Sequence, residues 1–497
     1  MILSTMTEKY KRILDSVHGY IYIPESYCDN IIDTVYFQRL RRIEQTSGRS
    51  LFPSARHDRF IHSLGVYHLG LKFIDSIKKT ELDDYPENKE EIYESYGLAC
   101  LLHDIGHSPF SHTFEDFFED NFKLKEALKQ LIASKEFDED IEKQLSDRYA
   151  PHEYMSAIIA LKIFGEFIDS RKGDKELIAR MITGIRYLSK DESFKNAMIE
   201  LIHGDVIDAD GLDYVARDAW ASGYSTSTVD VERLISSTVI RKDNQGKFIV
   251  CYTTKALNEI ESVLNVKSYQ QFNVIAHHTV VYEQNLLIKA VESAALYHFN
   301  ENGTEDEETR KVVLKRLCNY ESLYKGIELS AHKIILQYPS DDDFVHLMKQ
   351  QLGDHYISQW FSRKYELVPL WKSKADFMAL FPEFREITIN QKCWIFSDDC
   401  QKFLMEALKL PKEKVWIKGA QSKDKRKFDD KINLLVGDAI IPYNELLPIN
   451  LHSFSTGTMY FAYIYLPEEK IDEAKIILSE KISSEFKAYK KQIGQSS

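Results

Sequence analysis

At 497 residues the chain is too long for one compact core, and two or three lobes are expected. A composition of 44% hydrophobic and 28% charged residues is that of a globular protein, and 20 Gly with 12 Pro leave little room for linkers. The net charge of −13 argues against a general nucleic-acid coat protein, which needs a clustered basic surface, without excluding a local basic pocket. The six cysteines (Cys28, Cys100, Cys251, Cys318, Cys393, Cys400) show no C-x-x-C spacing. They are expected as free thiols in a reducing compartment, not as a zinc module. "MILSTMTEKYKRILDS" has no apolar stretch of signal-peptide type, and no apolar run approaches the ~20 residues of a membrane span. A cytoplasmic protein is expected.

In chain order, residues 60–300 read mostly as helices. "HSLGVYHLGLKFIDSI" sets Val66, Leu69 and Phe73 on one helical face, with His62 one turn earlier. "PHEYMSAIIALKIFGEFI" opens on Pro151 at a helix start. "DKELIARMITGIRYL" and "VYEQNLLIKAVESAALYHF" are again amphipathic, and the charge-rich stretches 80–92 and 301–310 read as exposed loops or solvated helix ends. From about residue 386 the texture changes. "EKVWIKG", "KINLLVGDAIIPYNELLP" and "TMYFAYIYLPEEK" carry β-branched and aromatic runs, followed by the helix "KIDEAKIILSEKI". The expectation is a mainly α protein, with a large helical lobe over 1–385 and a smaller α+β lobe over 386–497.

"ACLLHDIGHSPFSHTFEDFF", residues 99–118, runs an apolar helix into His103, Asp104, His107 and His112. Such groups are expensive to bury unless they satisfy one another or bind something. Adjacent His103 and Asp104 can both ligate where a helix ends, and Gly106 and Pro109 mark such an end. In "HGDVIDADGLDYVARDAWASG", Asp210, Asp213, Tyr214, Arg217 and Asp218 share one helical face opposite an apolar stripe. Three separate segments thus offer His62, His103 with Asp104, and Asp210. Nitrogen and oxygen donors without thiolate suit a divalent Mn, Fe, Mg, Co or Zn ion.

These segments resemble the HD-domain phosphohydrolases, with their H…HD…D pattern. More closely they are similar to the SAM-and-HD type of deoxynucleoside triphosphate triphosphohydrolase, with no SAM domain expected ahead of them. The resemblance runs through "DSVHGYIYIPE", "IIDTVYFQRLRRIEQ", "FPSARHDRFIHSLGVYHLG", "LLHDIGHSPFSHTFE", "HEYMS", "DADGLDYVARD" and "HHTVVYEQ". It implies an HD helical bundle in which His62, His103, Asp104 and Asp210 ligate the metal, which acidifies a water for attack at the α-phosphorus. It further implies that His112 protonates the leaving 5′-oxygen, oriented by Glu115, while His107 and His152 contact phosphate. Arg59 and Tyr214 match phosphate contacts, Gln45 and Asp218 contacts to the sugar 3′-hydroxyl, Tyr282 the residue under the deoxyribose, and His278 a neighbouring contact. Lys11, Asp33, Gln38 and Arg41 match an allosteric guanine-nucleotide site between subunits, so a homo-oligomer (dimer, tetramer or hexamer) is implied.

The chain departs from the family at Gly211 and Val274, where close relatives carry phosphate-binding cations, and at Thr46, where they carry a Leu that helps exclude a 2′-hydroxyl. "DADGLD" lacks the Gly and Glu of a calcium loop, and no P-loop motif is present. The basic run 418–431 reads as a solvated loop more readily than as a nucleic-acid patch. The expected activity is hydrolysis of a dNTP to deoxynucleoside and inorganic triphosphate. The alternatives are an HD-type phosphodiesterase or nuclease acting on another nucleotide or on single strands, and a nucleotide sensor with vestigial catalysis.

Overall fold

A computed structural model describes residues 8–46, 50–118, 121–144, 150–204, 206–223, 229–299, 314–315, 318–329, 334–382, 394–422, 432–446 and 459–494. The stretch 301–310 and residues 423–431 of the basic run lie outside these. The chain forms two compact units, one comprising 1–266, 291–351 and 428–447, the other 267–290, 352–427 and 448–497.

The first unit is mainly α. Helix α1 (Arg59–Lys79) starts where the Asp58 carboxylate accepts the Ile61 N–H, and it buries Phe60, Leu64, Val66, Leu69 and Phe73. Helix α2 (Lys89–Leu102) is apolar through its second half and ends at Leu102, just before His103. Helix α3 (Pro151–Ser170) carries Pro151 in its first turn, where the missing N–H costs nothing. Helix α4 (Lys175–Thr183) is shorter than the amphipathic pattern predicts, because Gly184 turns left-handed at φ 73° and terminates it. Helix α5 (Ala209–Ser222) is capped by Asp208, which accepts the Gly211 N–H, and is closed by Gly223 at φ 77°. A hairpin, β1 (Tyr10–Asp15) with β2 (Gly19–Pro24), precedes the helices.

A four-stranded sheet completes the unit. Thr238–Lys242 pairs antiparallel with Phe248–Thr253, which pairs parallel with Asn433–Val436, itself antiparallel to Ala439–Pro442. Residues 432–446, expected in the C-terminal lobe, belong to the first unit, where Leu434 and Leu435 register against Tyr252 and Thr253.

In the second unit, Met459–Leu466 pairs antiparallel with Trp416–Ser422 and with Val368–Pro369. The helix Ile471–Gly494 buries Ala474, Leu478 and Ile482 in the same core as Ile464, Leu404, Trp371 and Phe377. Val281, Tyr282, Leu286 and Leu367 lie in that core too, so this unit draws on segments ahead of the residue-386 boundary read from the sequence. Cys28, Cys100, Cys251 and Cys318 are buried thiols. Among the described residues no helix is long and apolar enough to cross a membrane.

Candidate metal centre

Four side chains from three segments of the first unit converge. His62 Nε2 lies 3.0 Å from Asp210 Oδ1 and 3.3 Å from His103 Nε2. Asp104 Oδ2 is 3.5 Å from both imidazoles, and His103 Nε2 is 3.8 Å from Asp210 Oδ1. Ligand arms of about 2.1 Å separate neighbouring donors by roughly 3.0 Å in an octahedron and 3.4 Å in a tetrahedron. His62, His103 and Asp210 stand close enough together to hold one ion, with Asp104 Oδ2 approaching both imidazoles.

The far sides of the imidazoles fix which nitrogen faces the centre. His62 Nδ1 donates to Asp213 Oδ2 at 2.7 Å and His103 Nδ1 to the Cys100 carbonyl at 3.0 Å, leaving both Nε2 lone pairs turned inward. Two lone pairs facing each other at 3.3 Å call for positive charge between them. Burial opposes protonation of His62, yet Asp210 and Asp213 overrule it and raise its pKa to about 10. A divalent cation meets the same demand with oxygen and imidazole donors of matching hardness. The donor set therefore fits the ion that the sequence implies.

Asp213 escaped assignment in the sequence, where it was one acid among five polar residues on a helix face. It is fully buried and accepts four charge-assisted hydrogen bonds: His62 Nδ1, His18 Nε2 at 2.6 Å, and Arg217 Nε and Nη2 at 2.9 and 2.8 Å. Arg217 Nη1 continues to Asp15 Oδ2 at 2.8 Å. Burial would raise the Asp213 carboxyl, but Arg217, His18 and His62 hold it well below the usual carboxylate range. The network exists because Gly65, one turn after His62, has no side chain; a Cβ there would overlap the Asp213 carboxylate and the Arg217 guanidinium. Gly65→Ala should therefore destabilise the protein by about 1–3 kcal/mol. Chemical denaturation measures this, and an unchanged midpoint would contradict the close packing of α1 on α5.

Asp104 faces two ways. Its Oδ2 meets Arg59 Nη1 at 2.5 Å, and its Oδ1 lies 3.3 Å from His107 Nε2. Burial works against its charge, but Arg59, His103 and His107 keep the carboxyl well below its ordinary value. Beyond it, Glu115 gathers histidines: its Oε1 accepts His152 Nδ1 at 2.7 Å and its Oε2 accepts His112 Nδ1 at 3.2 Å. His107 and His152 stack at 4.2 Å with planes 22° apart, and with Asp104 they form a second group whose donor atoms lie close enough together to hold an ion. Burial lowers the pKa of both, reinforced at His107 by Arg59 and prevailing at His152 over the Glu115 hydrogen bond. The His112 side chain is 56% exposed.

The other expected residues fall as follows. Arg59 is buried, with Nε on Ser111 Oγ at 2.8 Å and Nη2 without an acceptor among the described residues. Asp218 Oδ1 lies 2.8 Å from His57 Nε2, and the main-chain Gln45 N–H donates to the His57 carbonyl at 3.0 Å. Gln45 Oε1 is buried and finds no donor among the described residues. Tyr214 packs half-buried beside Val215 and Ala219. Gly211, the first departure from the family pattern, sits in the first turn of α5, and Val274 is buried.

His278 and Tyr282 belong to the second unit, where they border a cavity of about 980 Å³ together with Tyr365, Trp371 and Lys475. Tyr282 stacks on Trp416 at 5.2 Å, and burial pushes His278 down to about 4. The effector candidates form two pairs: Lys11 with Asp33 at 3.0 Å, and Arg41 Nε with Gln38 Oε1 at 2.9 Å.

Residues 59–214, the span holding all four converging ligands, match the family model described as HD domain. The chain is 31% identical over 273 residues to Deoxynucleoside triphosphate triphosphohydrolase SAMHD1 homolog of Dictyostelium discoideum, covering 54% of this chain and 46% of that one. It is 27% identical over 278 residues to Uncharacterized protein YwfO of Bacillus subtilis, covering 56% and 54%. The chain thus spans about half the length of these curated relatives. Among solved structures, a phosphohydrolase from Bacteroides thetaiotaomicron is similar in fold with a TM-score of 0.60 at 20% identity, over 92% of this chain and 99% of that one.

Proposed function

We propose that this chain, whose residues 59–214 match the HD-domain model, is a metal-dependent phosphohydrolase that converts deoxynucleoside triphosphates to deoxynucleoside and inorganic triphosphate. The observation that carries the reading is the junction at Asp104, where the cation cage adjoins Arg59 and the histidines gathered on Glu115. The substrate class is supported by the Dictyostelium relative's name and by the sequence resemblance.

In this reading His62, His103, Asp104 and Asp210 hold the divalent ion, which when bound supplies Lewis acidity toward water and phosphate oxygens. His107 and His152 border the phosphate side of the site in this reading, and Arg59 Nη2 is a buried donor that finds no acceptor among the described residues. His112, exposed and fixed through Nδ1 to Glu115, keeps Nε2 for the proton that the leaving 5′-oxygen takes up. Gln45 and Asp218 are assigned to the 3′-hydroxyl and Tyr214 to phosphate, while the sequence resemblance alone assigns His278 and Tyr282 to the sugar. A guanine-nucleotide effector at Lys11, Asp33, Gln38 and Arg41, and a homo-oligomer around it, belong to the same proposal.

A second reading, a phosphodiesterase on another nucleotide, is favoured by Gly211 and Val274, which leave two fewer cations to hold three phosphates. Separating the products formed from each dNTP, alone and in mixture with GTP, in Mn²⁺ and Mg²⁺ decides between the two. Nucleoside with inorganic triphosphate is expected, and nucleoside monophosphate would reverse the assignment. Activity confined to mixtures would identify the effector requirement.

A further inference from the structure

The backbone between the metal ligands and His112 is held by two charged residues that sequence reading left without a role. Arg39 is buried, and its three hydrogen bonds all go to main-chain carbonyls: Ile105 at 3.0 Å, His107 at 2.7 Å and Pro339 at 3.1 Å. A buried guanidinium ordinarily finds a carboxylate. Here it satisfies the Ile105 and His107 carbonyls, orphaned because α2 has ended, and ties them to the Pro339 carbonyl ahead of the next helix. Asp341, at the start of helix α6 (Asp341–Lys349), is buried as well. Its Oδ1 accepts the Phe110 N–H at 2.6 Å and its Oδ2 the Glu44 N–H at 2.9 Å.

Between these anchors the backbone adopts a conformation it would not choose unaided. Phe110 and Ser111 are both left-handed, at φ 61° and 51°. Residues with a Cβ avoid that region, and two in succession persist only where the surroundings over-determine them. Ser111 Oγ donates to the Glu44 carbonyl at 2.6 Å while accepting from Arg59 Nε, and the Gly106 N–H donates to Ser156 Oγ at 3.0 Å. The next residue is His112.

We propose that Arg39 and Asp341 are positioning residues that clamp loop 105–111 from both ends, fixing where His107 and His112 stand relative to the metal cage. The importance of those two histidines rests on the function proposed above; the clamp itself does not. Neither residue touches His62, His103 or Asp210, so the clamp acts on the loop and leaves the cage intact.

The test is hydrogen–deuterium exchange on the full chain carrying Arg39→Lys or Asp341→Asn. A lysine is a single point charge that cannot span the three carbonyls, and an asparagine loses one of two acceptors. Peptides covering 104–112 are expected to exchange about tenfold faster in each variant while those of α5 keep wild-type rates. Mn²⁺ affinity should stay within about twofold, and kcat for triphosphate release should fall by on the order of tenfold with little change in KM. Wild-type exchange across 104–112, or acceleration spread equally over α5, overturns the proposal. Should Arg39→Lys not fold, Asp341→Asn decides alone. If the wild-type chain releases no triphosphate, the functional reading fails while the exchange measurement still judges the clamp.

Discussion

Asp210→Asn is expected to abolish metal-dependent turnover and, with it, the thermal stabilisation that Mn²⁺ gives the wild-type chain. Asp210 is the one converging ligand whose side chain is substantially solvent-exposed, at 40%, and the cap of α5 is Asp208, so the helix should survive the change. The substitution removes a charged oxygen 3.0 Å from His62 Nε2 and offers a neutral amide in its place. At a hundredfold excess over Kd, a bound ion stabilises the folded state by about 2.7 kcal/mol. That increment should vanish from the melting curve of the variant. The rate should fall about a thousandfold, the equivalent of roughly 4 kcal/mol of lost transition-state stabilisation. His103→Ala should behave alike. A variant that retained the full Mn²⁺-induced shift would show that the ion binds elsewhere.

Asp213→Asn should weaken metal binding without removing a single ligand. An amide supplies one acceptor oxygen where four donors now converge, and its NH₂ faces N–H groups of His62, His18 or Arg217. His62 then loses the partner that holds Nδ1 protonated and Nε2 free. Losses of about 10- to 100-fold in metal affinity attend the removal of such outer partners. Breaking the buried pair with Arg217 should also destabilise the metal-free fold by about 3–5 kcal/mol. Mn²⁺ titration followed by electron paramagnetic resonance reads the first effect, and denaturation in EDTA reads the second. An unchanged affinity beside a lowered stability would confine Asp213 to the scaffold.

The four converging side chains stand out in the sequence because each is a costly residue type set beside an apolar helix or at its end. Asp213 does not. On a helical wheel it shares a face with Asp210, Tyr214, Arg217 and Asp218, and only the bare backbone at Gly65 tells which of these is buried against the first helix. Helix α3 could be anticipated from Pro151, whereas the early stop of α4 depends on Gly184 turning left-handed, which amphipathic spacing does not report. The strands near residue 435 were legible as strands, but their partner was not. Parallel pairing with Phe248–Thr253 leaves no local turn signal, since the neighbour is remote in the chain. Arg39 and Asp341 bind only main-chain atoms, and a side chain that recognises backbone leaves no complementary residue for a reader to notice.

That remote pairing governs the order in which the molecule can be assembled. Asn433 meets the Val250 carbonyl across 183 residues, so a chain emerging from the ribosome has made His62, His103, Asp104 and Asp210 long before its sheet can close. Until then Phe248–Thr253 waits with an unpaired rim, the kind of edge that recruits strands from other molecules. The nascent helical unit thus faces its period of greatest risk of self-association while the second unit is still being synthesised.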